Sequence, residues 1–351
     1  MSDTNSKNLP GPFSSPAAWR GEELFARNDW LYELKADDIE ELEQAHSVFE
    51  SKAIPVEETT KAHFPLGQFG ERLAQLQHDL ENGSGGCMVR GLPVAQYTEE
   101  QTRCLFWGIA SHVGTPISQS AKGERIFNVR DEGYVVGQPQ ARGPNTKKRL
   151  SFHTDRCDVI AFLCVKQART GGENQLVSSV TVFNEMRTRR PDLLRVLMQP
   201  FYYKRHNVDE GNQKPWIQQP IFSYFEGHFA ASYLRVLIDR AYDLPELPDM
   251  TPEQREALDC LEEVASDPAL HVTFRQEPGD MLFLNNWVTL HRREAFEDYD
   301  DPALRRHLLR IWLAVPNSRP LAPEFAANFG STQPGAIRGG MRPSPDESTQ
   351  G

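Results

Sequence analysis

The order of three side chains that can bind a metal is the feature that most constrains the fold of this chain. His153 and Asp155 lie two positions apart in the motif H-T-D, and His291 follows far downstream, after P-G-D-M-L-F-L-N-N. Positions i and i+2 of an extended strand face the same side, so the two early side chains can reach one point. The fold must then bring a late strand beside this early one.

The types of these side chains predict a metal centre next to an anion-binding site. Two imidazoles and one carboxylate hold one face of an octahedral Fe(II) and leave the opposite face open. In the later segment R-R-H-L-L-R-I-W-L, strand alternation places Arg306, Leu308, Arg310 and Trp312 on one face. Leucine and tryptophan make that face apolar, and a guanidinium there needs an anion, because an unpaired buried charge is costly. Its planar fork suits a carboxylate.

These motifs resemble those of the taurine dioxygenase-like family of Fe(II)/2-oxoglutarate-dependent oxygenases. The resemblance is carried by F-H-T-D, T-G-G-E-N, P-G-D-M-L-F-L-N-N and R-R-H-L-L-R-I-W-L, and it covers nearly the whole chain. It implies that His153, Asp155 and His291 bind Fe(II). It also implies that Arg306, fifteen positions after His291, binds the distal carboxylate of 2-oxoglutarate. Arg310 is implied to reach an anionic group of the co-substrate or the substrate.

The expected fold class is α+β and mainly β. Short strands separated by turn glycines favour a β-sandwich or jelly-roll barrel with helices outside, and a generic α+β sandwich is the alternative. The resemblance implies the double-stranded β-helix, the jelly roll of cupin-like proteins. Several relatives carry Thr or Ser after Gly-Gly-acidic to bind 2-oxoglutarate; this chain has Asn174 there, whose amide can also donate.

The chain is expected to hold one oxygenase domain over residues 16–320. Residues 1–15 and 321–351 are rich in Pro, Gly and Ser, which favours a disordered N-terminus and a C-terminal strap or disordered tail. Segment 119–149 contains several glycines and little periodicity, and connections of this length are often functional covers. We therefore predict that it is a lid.

Local signals predict several helices and strands. A helix is expected to begin at Asp37, and a second at Thr251-Pro252, where threonine caps and proline takes the first helical position. Apolar spacing predicts one helix over 182–198. Strands are predicted at 159–165, 175–180, 271–275, 281–285 and 306–315.

Composition argues against several classes of partner. The net charge of −11 disfavours nucleic acid, since phosphate binding depends on clustered Lys and Arg. No apolar stretch approaches the ~20 residues that cross a bilayer, and the first residues lack an apolar signal core. Five cysteines without C-x-x-C pairs predict a reducing compartment, and Cys157 and Cys164, which flank a predicted strand, are expected to be buried thiols. We expect a cytoplasmic protein that acts on a small molecule, and we leave a homo-oligomer open.

The resemblance implies that O₂ is the second co-substrate and that succinate and CO₂ are released while a small molecule is hydroxylated, desaturated or cyclised. Halogenating relatives replace the metal-binding carboxylate with Gly or Ala, so Asp155 argues against halogenation. Arginines near the site favour a small carboxylic or amino acid as substrate, whereas the aromatic residues would suit an apolar natural product, which stays open as the alternative. The candidate substrate-binding residues are Asn128, Arg130, Phe222, Tyr224, Arg235 and Arg310.

Two other functions stay open at this point. A non-catalytic jelly-roll module could use the arginines to bind an acidic ligand, although the complete metal-ligand set counts against it. A zinc-dependent hydrolase is the second, because two histidines and a carboxylate also suit Zn. A hydrolase function does not explain the two arginines on one strand face, and the sequence shows no obvious general base for it.

Overall fold

The computed structural model describes residues 9–133, 145–205 and 214–342. Its α-helices are α1 Ala36–Glu50, α2 Gln68–Asn82, α3 Glu99–Val113, α4 Ser179–Arg189, α5 Pro191–Leu197, α6 Arg235–Tyr242, α7 Pro252–Ala265 and α8 Ala326–Phe329. Its strands are β1 Leu31–Glu33, β2 Gly86–Arg90, β3 Thr115–Ile117, β4 Ile126–Val129, β5 Val159–Lys166, β6 Thr170–Gly171, β7 Asn174–Ser178, β8 Phe201–Lys204, β9 Trp216–Gln219, β10 Phe222–Phe225, β11 His228–Ala231, β12 His271–Phe274, β13 Met281–Asn285, β14 Thr289–Arg293, β15 Phe296–Glu297 and β16 His307–Ala314.

Two sheets form the walls of a barrel. The large sheet has seven strands in the order β1-β2-β13-β5-β16-β3, with β4 also paired to β16. Only β1 and β2 run parallel among these pairs. The small sheet has the order β12-β7-β14 and is antiparallel. Early and late strands are neighbours in both sheets, as the spacing of the metal-binding side chains requires.

Three apolar layers hold the sheets and helices together. The layer between the sheets draws side chains from both walls: Met88, Ile160, Leu176, Val272, Leu282, Leu284 and Trp312. Helices α1 to α3 cover the outer face of the large sheet, and α4, α5 and α7 cover the small one. Burial of these faces is the main favourable contribution to folding. No helix in the described ranges has the length and apolar character needed to cross a lipid bilayer.

Most predicted elements are present, and proline explains the main difference. α7 begins as predicted, with Thr251 Oγ1 accepting a hydrogen bond from Gln254 N at 3.2 Å. The single helix predicted over 182–198 is instead two helices, because Pro191 lacks an N–H and its ring clashes with the preceding turn. The strand predicted at 175–180 ends at Ser178, whose hydroxyl caps α4 by accepting from Thr181 N at 3.0 Å.

The ends of the chain are more ordered than their composition suggests. Within the expected disordered N-terminus, Phe13 N donates to Asn184 Oδ1 at 2.9 Å, and its ring lies 4.9 Å from that of Phe183. Near the other end, Phe329 packs 4.7 Å from Trp287. Residues 321–342 therefore pack against the rest of the chain, and we call this segment the C-terminal strap. Residues 1–8 and 343–351 lie outside the described residues.

The predicted lid is wrong for its first part. Gln119 is fully buried, and β4 pairs with β16, so Gln119 is packed inside the protein and residues 126–129 belong to the barrel wall. A four-residue strand is too short to show a clear period in the sequence. Residues 134–144 lie outside the described part of the chain, and the lid stays a prediction there.

A buried ion pair fastens the C-terminal strap to the barrel. Arg338 Nε donates to Asp158 Oδ1 at 2.7 Å, and the two side chains are 0% and 1% exposed. Trp287 Nε1 donates to the same carboxylate oxygen at 2.9 Å. Since Asp158 lies three positions after Asp155, the strap is held next to the segment that carries His153 and Asp155.

Replacing Arg338 with Met is expected to lower the free energy of unfolding by about 3–5 kcal/mol. The variant leaves the Asp158 carboxylate buried without its partner, and this is the costly way to break a buried pair. Urea unfolding measures the change. Arg195→Met, on an exposed face of α5, is the control and should stay within about 0.5 kcal/mol. A loss no larger than the control's would contradict the anchoring role.

Candidate metal centre

His153, Asp155 and His291 converge on one point. His153 and His291 form an antiparallel bridge, in which each N–H donates to the other's carbonyl oxygen at 3.0 Å. The Nε2 atoms of His153 and His291 lie 3.8 and 3.3 Å from Asp155 Oδ2. One ligand atom from each residue lies within 4.8 Å of the other two. The expected H-T-D strand is reduced to this single bridge, yet its side chains still meet.

Neighbouring backbone groups fix the short segment that carries the first two of these residues. Thr154 N donates to Tyr233 O at 2.8 Å, and Tyr233 N donates back to Thr154 Oγ1 at 3.0 Å. Asp155 N donates to Asn286 Oδ1 at 2.9 Å. His153 Nδ1 donates to Ser151 O at 2.8 Å, which leaves Nε2 toward Asp155. The role of Tyr233 was missed, because its backbone makes these contacts and residue type gives no signal of them.

The protonation states suit a divalent metal. Burial, and then the neighbouring imidazole of His291, lower the pKa of His153 to about 4, so this ring is neutral at physiological pH. Burial alone would raise the pKa of Asp155, but His291 and the Arg310 guanidinium hold it well below its usual range. Asp155 Oδ2 is buried without a hydrogen-bond partner among the described residues. The imidazoles of His153 and His291 and an unsatisfied carboxylate oxygen form a ligand set that fits Fe(II).

The predicted apolar face with two arginines lies in the same cavity. Arg306, Leu308, Arg310 and Trp312 line a cavity of about 630 Å³ together with the three metal-binding candidates. Arg306 is 3% exposed, and burial lowers its pKa to about 10. Its Nε has no hydrogen-bond partner in the described ranges, and its guanidinium lies 5.1 Å from the Phe296 ring. Such a buried cation needs an anion.

Gln119, a residue of the predicted lid, holds Arg310 beside Asp155. Arg310 Nη1 lies 3.7 Å from Asp155 Oδ1, and Arg310 Nε donates to Gln119 Oε1 at 2.7 Å. Gln119 Nε2 donates to the carbonyl oxygens of Arg310 and Arg125, at 2.7 and 2.9 Å. One amide thus fixes both the backbone and the side chain of Arg310.

Replacing Gln119 with Leu is expected to lower kcat/KM by about ten- to a hundredfold, because small displacements of positioning groups are costly to catalysis. Gln119→Glu keeps an acceptor for Arg310 Nε and should restore most of the rate. Initial rates of succinate release, with unfolding free energies for each variant, check this. Equal losses of rate in both variants would show that Gln119 acts only through stability.

Asn174 and Arg235 also line the cavity. Asn174 lies on β7 and donates from Nδ2 to Gln276 Oε1 at 3.0 Å. Nearby Gly172 has φ of 76°, and a side chain there would approach Arg306 Nε, which explains the second glycine of T-G-G-E-N. Arg235 Nε lies 3.0 Å from Asp239, and its Nη1 lies 2.9 Å from Asp259.

The other four candidate substrate residues do not line the cavity. Asn128 Oδ1 accepts a hydrogen bond from His307 Nε2 at 2.9 Å, on the opposite face of the sheet. Arg130 is exposed at the end of β4. Phe222 is 1% exposed and packs in the apolar layer outside the small sheet. Tyr224 is 48% exposed, and its ring lies 5.0 Å from that of Phe13. These assignments are corrected.

Comparison with known proteins agrees with this geometry. The model of the family described as "Taurine catabolism dioxygenase TauD, TfdA family" matches residues 48–312. FR-33289 synthase of Streptomyces rubellomurinus is 30% identical over 320 residues, which cover 89% of this chain and 93% of that protein.

Solved structures match the fold. An asparagine oxygenase in complex with Fe(II), 2S,3S-3-hydroxyasparagine and succinate has a TM-score of 0.62 at 17% identity, over 81% of this chain and 93% of that one. The non-haem iron oxygenase OrfP with Fe and alpha-ketoglutaric acid has a TM-score of 0.60 at 13% identity, with the same coverage of both chains. The predicted jelly roll is confirmed. The chain belongs to the TauD/TfdA family and is an Fe(II)- and 2-oxoglutarate-dependent oxygenase.

Proposed function

We propose that His153, Asp155 and His291 bind Fe(II) and that Arg306 binds the distal carboxylate of 2-oxoglutarate in a reaction that oxidises a small carboxylic or amino acid. One observation carries this assignment: Arg306 is a buried guanidinium without a carboxylate partner among the described residues, in the same cavity as the metal-binding candidates. A buried cation of this kind is stabilised by a bidentate carboxylate. Asn174 lies in the same cavity and is proposed to assist.

The residues of the chain position and shield the reactants. When bound, Fe(II) and 2-oxoglutarate activate O₂, and succinate and CO₂ are released as the substrate is hydroxylated, desaturated or cyclised. Asp155 supplies a negative charge to the metal, and the bond to Ser151 keeps His153 turned toward it. Phe162, Leu308 and Trp312 give the cavity an apolar wall that limits water beside the reacting groups.

Arg310 and Arg235 are proposed to meet the substrate. Arg310 Nη2 is buried and has no hydrogen-bond partner in the described part of the chain, so it can donate to an anionic group beside the metal. Arg235 lies farther along the same cavity wall, on α6, and its charge is shared with Asp239 and Asp259. Arg310 is therefore the stronger candidate of the two.

The two alternative functions gain no support. A zinc-dependent hydrolase does not require an anion at Arg306 and Arg310. A non-catalytic binding module does not explain why His153, Asp155 and His291 converge on one point. Family membership argues against both. We further propose a cytoplasmic protein without a nucleic-acid or membrane partner, which the five free cysteines and the net charge support. The oligomeric state stays open.

Anaerobic titration tests the proposed function. Fe(II) and 2-oxoglutarate together should produce a visible metal-to-ligand charge-transfer band, whereas Zn(II) with 2-oxoglutarate should not. Fe(II) alone is the second control. The absence of a band at saturating Fe(II) and 2-oxoglutarate would reject the assignment of the metal centre.

A further inference from the structure

The cavity wall is strongly positive although the protein is acidic. The whole chain carries a formal charge of −11. Eleven described lining residues are basic, and three are acidic. The basic ones are Lys148, Arg149, Arg156, Lys204, Arg205, Arg235, Arg240, Arg292, Arg293, Arg306 and Arg310, and the acidic ones are Asp155, Asp239 and Asp243. A concave surface lined by one sign of charge concentrates ligands of the opposite sign.

Nearby carboxylates neutralise only part of this charge. Arg235 pairs with two aspartates, as described above. Arg149 Nε lies 3.0 Å from Glu294 Oε1, and Arg292 Nε lies 3.8 Å from the same oxygen. Bound Fe(II) and 2-oxoglutarate carry opposite charges of equal size, so loading the centre leaves the excess in place.

Three cations of the cavity lining reach solvent and have no such partner among the described residues, and we call them the mouth cations. Among the residues that the structure describes, no carboxylate oxygen lies within 4.0 Å of the charged groups of Lys148, Lys204 or Arg240. Lys204 ends β8, which packs on α6, where Arg240 lies in the last turn. Buried Arg293 holds the segment of Lys148 by donating to the carbonyl oxygens of Thr146 and Lys148, at 2.7 and 2.9 Å. These cations thus come from three separate segments that line one cavity.

Two buried residues of the cavity lining offer further donors. Arg310 Nη2 and Trp312 Nε1 are both buried without a hydrogen-bond partner in the described ranges. The residues are 4% and 2% exposed and line the cavity beside Asp155. Donors buried in this way are stabilised by an acceptor, and an anionic oxygen is the strongest one.

We infer that the substrate is a small polyanion with two anionic groups. One group binds at Arg310 and Trp312, and the other binds at the mouth cations Lys148, Lys204 and Arg240. This inference rests on the proposed function and narrows it, because a neutral compound or a zwitterionic amino acid leaves the mouth cations unmatched. Carboxylate and phosphonate groups share the required chemistry.

Calorimetric titration of the Fe(II)- and 2-oxoglutarate-saturated protein, without oxygen, tests the inference. The probes are short carbon chains bearing an amide, one carboxylate, two carboxylates, or a carboxylate and a phosphonate. The doubly anionic probes should bind about tenfold more tightly than the singly charged one, and added salt should weaken them. Tighter binding of either doubly anionic probe than of the singly charged one supports the inference. The doubly anionic probe that binds more tightly shows whether the second anionic group is a carboxylate or a phosphonate.

Two triple variants locate the binding site. Replacing Lys148, Lys204 and Arg240 with Gln should weaken the doubly anionic probes by about tenfold or more. Replacing the exposed Lys52, Lys61 and Lys122 with Gln removes the same charge elsewhere and should leave binding unchanged. Equal affinity for all probes, no binding of the doubly anionic ones, or equal effects of the two triple variants would overturn the inference. A missing charge-transfer band in the same preparation would instead reject the proposed function.

Discussion

Replacing Asp155 with Ala is expected to lower turnover by more than about a hundredfold while the protein stays folded. Asp155 is the one anionic member of the proposed metal-binding set, and its Oδ2 has no hydrogen-bond partner among the described residues. Loss of residues that only orient metal ligands already costs about 10- to 100-fold, so loss of a ligand should cost at least as much. Initial rates of succinate release measure turnover, and circular dichroism reports the fold.

Asp249→Ala is the matched control, because Asp249 is an exposed aspartate outside the cavity. Its turnover should equal that of the parent protein. An Asp155→Ala variant that oxidises substrate at the parental rate would remove Asp155 from the metal centre.

The second large effect is expected at Arg306. Arg306→Ala should raise the KM for 2-oxoglutarate by about 30-fold or more, since leaving a buried charge unpaired costs about 2–5 kcal/mol. Arg310→Ala should raise it much less, because Arg310 lies beside Asp155 and is held by Gln119. Rates at varied 2-oxoglutarate and fixed Fe(II) give both constants.

Arg306→Lys separates charge from shape. Lysine keeps the positive charge but lacks the planar fork that binds a carboxylate bidentately. The KM of the Arg306→Lys variant for 2-oxoglutarate should therefore fall between those of the parent and the Ala variant. If Arg310→Ala raised the KM for 2-oxoglutarate more than Arg306→Ala, the two arginines would have to exchange their proposed roles.

The metal centre and the arginine face could be predicted because their signals are local. Two ligand types two positions apart, and two arginines four positions apart on one strand, specify their relative directions within a single segment. A distant residue such as His291 can be recognised by its imidazole group, provided that the fold brings its segment beside that of His153 and Asp155. The sequence therefore predicts which residues meet, although His153 and Asp155 do not lie on a regular strand.

The predicted substrate contacts of Asn128 and Arg130 were wrong, because strand alternation alone does not show which face of a strand lines the cavity. Asn128 and Arg130 share one face of β4, and Phe127 and Val129 share the other. The cavity face is decided by pairing with β16, where Phe127 lies opposite Arg310. A one-residue difference in register reverses the faces, and the sequence of β4 does not contain that register. The prediction for Phe222 was wrong for another reason. An apolar aromatic side chain is common both in a hydrophobic core and in a ligand pocket, so its residue type does not separate the two.

The anchoring of the C-terminal strap also sets the order in which the protein can be completed during synthesis. Arg338 lies 180 positions after its partner Asp158. A nascent chain that has already produced His153, Asp155 and His291 still lacks the cation that neutralises the carboxylate beside them. It also lacks Phe329 and Met341, which line the cavity. The proposed iron site of a growing chain therefore lacks this ion pair and part of its cavity lining until the strap has been synthesised.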